Sequence, residues 1–249
     1  MIIIKNDKEI DLMRIAGRIV AETLLLVEKE VRPGITTAEL DRIAEEFITK
    51  HGAKPSFKGL YGFPASLCIS VNEQVVHGIP GGYVLKEGDI ISVDCGANIN
   101  GFHGDAARTF AVGNISEEAK RLIKVTEESF FKGLEFAKVG NKLTDISHEI
   151  QRYVEASGFS VVREFVGHGI GKSVHEDPEV PNFGRPGRGP KLVAGMALAI
   201  EPMVNMGTYR VATLGDDWTV VSADKSLSAH YENTVVILPD GPEILTLIK

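Results

Sequence analysis

The sequence predicts an α+β fold made of two similar halves, and three observations carry that prediction. Helical patterns and β-rich runs follow the order helix, helix, strands, and that order occurs twice along the 249 residues. Sliding the chain by 106 residues places Gly34 on Gly140, Leu40 on Ile146, Ala44 on Ile150, Phe47 on Tyr153, Ile48 on Val154 and Gly52 on Gly158. The same shift brings Asp94 within one residue of Glu201, and each acid directly follows an apolar strand run. The halves, roughly 1–113 and 114–249, are expected to pack face to face as a single domain, 1–249, since no Pro/Ser-rich linker divides them. Each half would then supply acids to a shared central site.

The elements can be read in order. Asn6 or Asp7 can cap a helix to about Val31, with Ile10, Met13, Ala16, Val20, Leu24 and Val27 on one stripe, and Arg32-Pro33-Gly34 stops it. Thr36-Thr37-Ala38-Glu39 reads as a capping box opening a second helix that ends near His51-Gly52. Strands are expected at Ala65–Val71, Ile90–Val93 and Ala106–Val112. Ser116-Glu117-Glu118 opens a helix to about Ala137, and Leu143-Thr144-Asp145 another that ends at Ser157-Gly158. Later strands are expected at Val161–Val166, Ala197–Ile200, Thr219–Val221 and Thr234–Leu238.

Composition narrows the function classes. Apolar content of 43% and charged content of 24% are those of a soluble globular protein. A net charge of −7, with no long basic block, argues against nucleic-acid binding by bulk charge or direct readout. Cys68 and Cys95 are too few for a disulfide framework and lack CxxC spacing, which fits a reducing compartment. No signal peptide is read at the N-terminus, and no apolar run approaches the ~20 residues a membrane span needs. The expectation is a soluble, cytoplasmic protein, with a monomer as the default.

The chemistry centres on Asp94 and Asp105. Asn100-Gly101 between two β-rich runs is a hairpin signal, because both residues tolerate positive φ. With that two-residue loop, 94 pairs with 107, so 105 lies on the face of 94, at roughly 7–8 Å between Cβ atoms. One residue of slip would separate the two acids. Solvated acids near a turn are the plain alternative. Asp is depleted in strands, however, and an acid directly after an apolar run wants a partner such as a metal.

Other candidates are scattered. His77 stands in Val76-His77-Gly78-Ile79-Pro80, and read alone is a hydrogen-bonded loop residue. His168 lies in Gly167-His168-Gly169-Ile170-Gly171, where glycines permit close approach, and a structural or a functional role is open. The same stretch lacks the βαβ setting and third glycine of a dinucleotide loop. Glu201 follows the apolar run Met196–Ile200 and precedes Pro202, while Glu232 could simply pair with Lys225 or Arg210. Glu176 and Asp177, before Pro178, read as solvated turn residues. His51, His103, His148 and His230 read as surface or satisfied structural groups. Taken together, Asp94, Asp105, Glu201, Glu232 and at least one His stand on separate strand ends. Four crowded carboxylates would repel one another unless two divalent ions, roughly 3.5–4 Å apart, neutralised them. Oxygen-rich ligation with one imidazole and no thiolate suits Mn, Fe or Co at least as well as Zn.

Five motifs in order, spanning essentially the whole chain, resemble the type I methionine aminopeptidases of the pita-bread metallopeptidase fold. They are His77-Gly78-Ile79-Pro80, Asp94 through Asp105, Gly167-His168-Gly169-Ile170-Gly171 with His175, Ile200-Glu201-Pro202, and Glu232. The resemblance implies a pita-bread fold with a central curved antiparallel sheet holding the site. It implies Asp94, Asp105, His168, Glu201 and Glu232 as ligands of two divalent ions (Co, Mn, Fe or Zn), with Asp105 and Glu232 bridging. It implies that Glu201 takes a proton from the attacking water, that His175 stabilises the oxyanion, and that His77 contacts the scissile amide. The α-amine of the substrate would bind at the Asp94 metal. Phe63, Cys68, His77, Val174 and Trp218 are implied as a methionine pocket, with Leu60 or Tyr61 at its mouth; Trp218 could equally be a packing residue. Many relatives carry Tyr or Phe where this chain has Phe63 and Val174. The implied reaction is removal of the initiator methionine from the N-terminal peptide of nascent proteins, near the ribosome, favouring small second residues. Two other readings compete. One is an Xaa-Pro-directed peptidase of the same fold, whose members usually carry an extra N-terminal domain and need a proline pocket. The other is a non-catalytic pita-bread binding protein, which would have lost ligands.

Overall fold

Asn6 starts the first helix, its side chain accepting from the Glu9 N–H while the Glu9 carboxylate accepts from the Asn6 N–H. That reciprocal cap satisfies two donors that the first helical turn leaves open. The computed structural model describes residues 1–248. Its first half contains α1 (Asp7–Glu30), α2 (Thr37–Lys50), β1 (Lys54–Pro55), β2 (Leu67–Val71), β3 (Gln74–Val76), β4 (Ile90–Ile99) and β5 (Phe102–Ala111). The second half opens with α3 (Glu117–Leu134), α4 (Leu143–Ala156), β6 (Ser160–Val161), β7 (Gly167–Gly169), β8 (Glu176–Val180) and β9 (Ala197–Ile200). It continues with β10 (Met203–Asn205), β11 (Val211–Thr213), β12 (Val220–Ser222), β13 (Ser228–His230), β14 (Asn233–Leu238) and β15 (Gly241–Ile244).

The internal offset read from the sequence reappears in these bounds. Both α2 and α4 have 14 residues, and they begin at Thr37 and Leu143. Leu40, Ala44 and Ile48 on α2 are buried, as are Ile146, Ile150 and Val154 at the matching places on α4. Truncating one of these Leu or Ile side chains to Ala costs about 2–5 kcal/mol. The bridges Thr36–Val84 and Lys142–Lys191 tie the entry of each helix to a later segment of its own half.

Each helix pair covers one side of the sheets. One core joins α1 and α2 to β2, β4 and β5 through Val20, Leu24, Leu40, Leu67, Ile91 and Val93. A second joins α3 and α4 to β9, β13 and β14 through Leu122, Phe130, Ile146, Leu198, Ala229 and Val235. Helix α1 lies directly on β5, since a Cβ on Gly104 would stand 2.8 Å from the Gly17 nitrogen. The sheets order as β15-β14-β9-β7-β8 and β1-β4-β2 with β5 on β4. Reciprocal backbone bonds between Ala107 and Glu232, 3.3 and 3.0 Å, stitch β5 to the start of β14. The halves therefore meet at the strand ends where the acids lie.

Two readings of the sequence are corrected. The strand expected at Val161–Val166 ends at Val161, because the next residues leave the ladder to line a cleft. There Arg163 lies over the rings of Phe183 and Tyr209, and Phe165 packs edge-on to His77. Glu176 is not a solvated turn residue. It begins β8, and its side chain, 6% exposed, meets Lys5 Nζ at 2.5 Å.

Candidate metal centre and active site

The β4–β5 hairpin places the first two acids. Asn100 and Gly101 form its turn at φ 55° and 81°, Ile99 pairs with Phe102, and Asp94 pairs with Ala107. Asp105 then stands opposite Gly96, two residues along on the face of Asp94. Asp105 is held by Thr234, whose hydroxyl accepts from the Asp105 N–H and donates to the Asp105 carbonyl, both at 2.9 Å. Glu201 follows β9 at Pro202, where the ladder stops, and Asn182 Nδ2 donates to its carbonyl at 2.9 Å. Glu232 sits between β13 and β14, stitched to Ala107 as described.

His168 comes in on β7, paired with Ala199 of β9. Its Nδ1 stands 2.9 Å from the Gly169 carbonyl. A carbonyl can only accept, so Nδ1 carries the proton and Nε2 offers its lone pair to the acids. That Nε2 is 3.9 Å from Asp105 Oδ2 and 3.6 Å from Glu201 Oε1. Loss of water around the ring, aided by His175, pushes the His168 pKa down to about 4, so the ring is neutral at neutral pH.

The electrostatics of the acids demand a cation. Asp105 and Glu232 are 3% and 2% exposed. Burial pushes the carboxyls of Asp105, Glu201 and Glu232 well above the usual range, reinforced by Asp94 in each case, and burial raises Asp94 to about 7. Among the described residues, no Lys or Arg pairs with any of the four. Glu232 does not pair with Lys225 or Arg210, and half-buried Arg108 donates to its backbone carbonyl at 2.6 Å rather than to its carboxylate. Asp94 Oδ1, Asp105 Oδ1 and Glu232 Oε1 are buried without a hydrogen-bond partner. Such orphaned acceptors are costly unless something positive meets them. Ligand atoms of Asp105, His168 and Glu232 lie within 4.8 Å of one another, as do those of Glu201, His230 and Glu232. Hard carboxylate oxygens with imidazole are a donor set suited to divalent ions, so the residues fit a metal centre.

The acids form the floor of a cleft of about 760 Å³. Phe63, Cys68, His77, His175 and Trp218 line it, with Leu60 and Tyr61 also on its wall. Val174 packs in one apolar cluster with Phe57, Phe63, Ala65 and Cys68. Trp218 packs edge-on to Phe63 at 5.1 Å and to His77 at 6.5 Å between ring centroids. His77 has a left-handed backbone, φ 59°, unusual for a residue other than glycine. A side chain on the next residue, Gly78, would put its Cβ 2.2 Å from the Ile69 carbonyl, so the pair is fixed against β2. Burial, with a contribution from His175, lowers the His77 pKa to about 4. His175 stands at the rim, its ring edge-on to His168 at 4.6 Å. Cys95 is fully buried in the α1–α2 core, on the opposite side of its strand from Asp94.

Residues 11–239 match metallopeptidase family M24. The methionine aminopeptidase of Clostridium perfringens is 79% identical to this chain over the full length of both. The chain belongs to the methionine aminopeptidases of family M24. The crystal structure of methionine aminopeptidase from Thermotoga maritima superposes with a TM-score of 0.98, at 48% identity and full coverage of both chains. The prolidase from Pyrococcus furiosus shares the pita-bread fold more distantly, with a TM-score of 0.82 and 23% identity, and the chain covers 66% of its length. That likeness speaks to fold alone. As a family M24 methionine aminopeptidase, the chain is a hydrolase, a metallo-exopeptidase that uses divalent metal. No helix among the described residues is long and apolar enough to cross a membrane.

Sequence reasoning passed over several residues of this methionine aminopeptidase cleft. Phe57, Phe165 and Met203 line it, and His230, read as a surface or satisfied group, is 2% exposed with an unpartnered Nε2.

Proposed function

We propose that this chain removes the N-terminal methionine from nascent proteins and peptides, with two divalent ions held by Asp94, Asp105, His168, Glu201 and Glu232. The single observation that supports the reading most is the cluster of four acids without a Lys or Arg partner, at the floor of a cleft with one apolar end. When bound, the ions lower the pKa of a water and polarise the scissile carbonyl. Glu201, whose carboxyl burial makes more basic, takes up the proton of the attacking water. His175 at the rim donates a hydrogen bond to the developing oxyanion, His77 donates one to the scissile amide, and the amine leaves with the proton that Glu201 took up. With a pKa near 4, His77 does so as a neutral imidazole at neutral pH.

The methionine side chain enters between Phe63, Cys68, His77 and Trp218, backed by Val174. Apolar walls and soft sulfur contacts with aromatic rings favour a thioether there, each worth about 0.3–1.5 kcal/mol. Small second residues are favoured because the cleft must also admit that side chain. Residues 1–249 act as one domain, since neither half alone brings the full set of acids together. The chain works as a monomer in the cytoplasm, near the ribosome, on N-terminal peptides as they emerge, and its two unpaired buried cysteines fit a reducing compartment. The test is incubation of the metal-loaded protein with Met-Ala-Ser and Ala-Pro-Gly peptides. Methionine is released from the first, and the second stays intact. Absence of methionine release with Mn, Fe and Co each supplied in turn would refute the reading.

A further inference from the structure

His230 lies on β13, paired with Met203 of the cleft wall. Its backbone is fixed by Thr109, whose hydroxyl accepts from the His230 N–H and donates to its carbonyl, both at 2.9 Å. Its ring Nε2 is buried without a hydrogen-bond partner. That atom faces two carboxylates from different elements, Glu201 Oε2 at 3.7 Å and Glu232 Oε2 at 3.8 Å. Both distances are too long for a hydrogen bond. They are the separations expected between atoms bound to one ion at about 2.0–2.2 Å. His168 stands in the same relation to Asp105 and Glu201, at 3.9 and 3.6 Å. Glu201 thus turns one oxygen toward each imidazole. The five-residue set of the proposed function leaves His230 without a role.

We infer that His230 is a sixth metal-ligating residue, its Nε2 completing a subsite with Glu201 and Glu232. The inference rests on the metal-centre reading above and deepens it. A second imidazole shifts the donor set from oxygen toward nitrogen. The subsite then favours ions that bind imidazole well, such as Zn, Co and Fe, over Mn.

The wild-type protein gives the direct test, by long-range ¹⁵N histidine NMR during titration of the metal-free chain with Zn(II). The Nε2 signals of both His168 and His230 move on loading. Movement of His168 alone overturns the inference and leaves the proposed centre standing; movement of neither overturns both. The variant His230→Gln keeps a polar group of similar reach. Measured by competition with a chelator, it loses about 10-fold or more in Zn(II) affinity, the scale set by disturbing a metal site's immediate partners, and less in Mn(II) affinity. Equal losses for the two ions, or none, would overturn the inference even where turnover falls.

Discussion

Replacing Lys5 by Met isolates the ion pair that fastens the N-terminal segment to the loop carrying His175. Lys5 Nζ meets Glu176 Oε2 at 2.5 Å, and the two side chains are 2% and 6% exposed. Glu176 also accepts from the backbone N–H groups of Lys172 and Ser173, at 2.8 and 3.3 Å. Removing one partner of a buried pair costs about 3–5 kcal/mol, because the other charge stays buried and alone. The two backbone donors remain on Glu176, so the lower end applies, about 3 kcal/mol. For a chain of this size each kcal/mol moves Tm by about 2–4 °C, which gives a fall of roughly 6–12 °C. Calorimetry of K5M and of the double variant K5M/E176L reads the effect. The double variant removes both charges, and it melts closer to wild type than K5M does, since apolar replacement of a whole buried pair is often neutral. A K5M protein within about 2 °C of wild type would refute the reasoning. So would a double variant less stable than the single one.

Three further outcomes follow from the site. Asp105→Asn abolishes turnover and lowers metal affinity, read by peptide assay and metal titration; near-normal activity would remove Asp105 from the centre. His175→Ala lowers kcat by about 10²–10³-fold, the scale of a lost oxyanion donor, while metal affinity stays within a few-fold. Retained kcat would show that His175 donates nothing to the reaction. Above about pH 6.5 the metal-free protein loses stability as pH rises. Its buried carboxyls have folded pKa values above their unfolded ones, about 7 at Asp94, so there the folded state sheds protons that the unfolded chain has already lost; below about pH 6.5 the buried neutral rings of His77 and His168, pushed down to about 4, act in the opposite direction. Melting curves from about pH 7 to 9 check it, and a metal-free Tm that climbs over that range would contradict it.

Much of this arrangement is legible in the sequence because local chemistry dictates it. Asn100-Gly101 alone determines the hairpin register, and with it the shared face of Asp94 and Asp105. The caps at Asn6, Thr36 and Ser116 mark where helices start. What escapes notice depends on partners distant in the chain. Glu176 looks like a turn residue until Lys5, 171 residues earlier, is brought against it. His230 lies in a three-residue strand too short to show alternation, and its meaning comes from the carboxylates of Glu201 and Glu232 that face its ring. The run after Val161 has the residues of a strand, but Arg163 and Phe165 find aromatic partners that draw them out of the ladder.

The most direct test of the carboxylate cluster is to strip the protein of metal and restore it stepwise, following bound ions and methionine release from Met-Ala-Ser in the same samples. Release is absent without metal and rises with bound Mn or Co to a limit of two ions per chain. Methionine release that persists in fully stripped protein, or bound metal that restores none, would contradict the assignment of these acids as the catalytic centre.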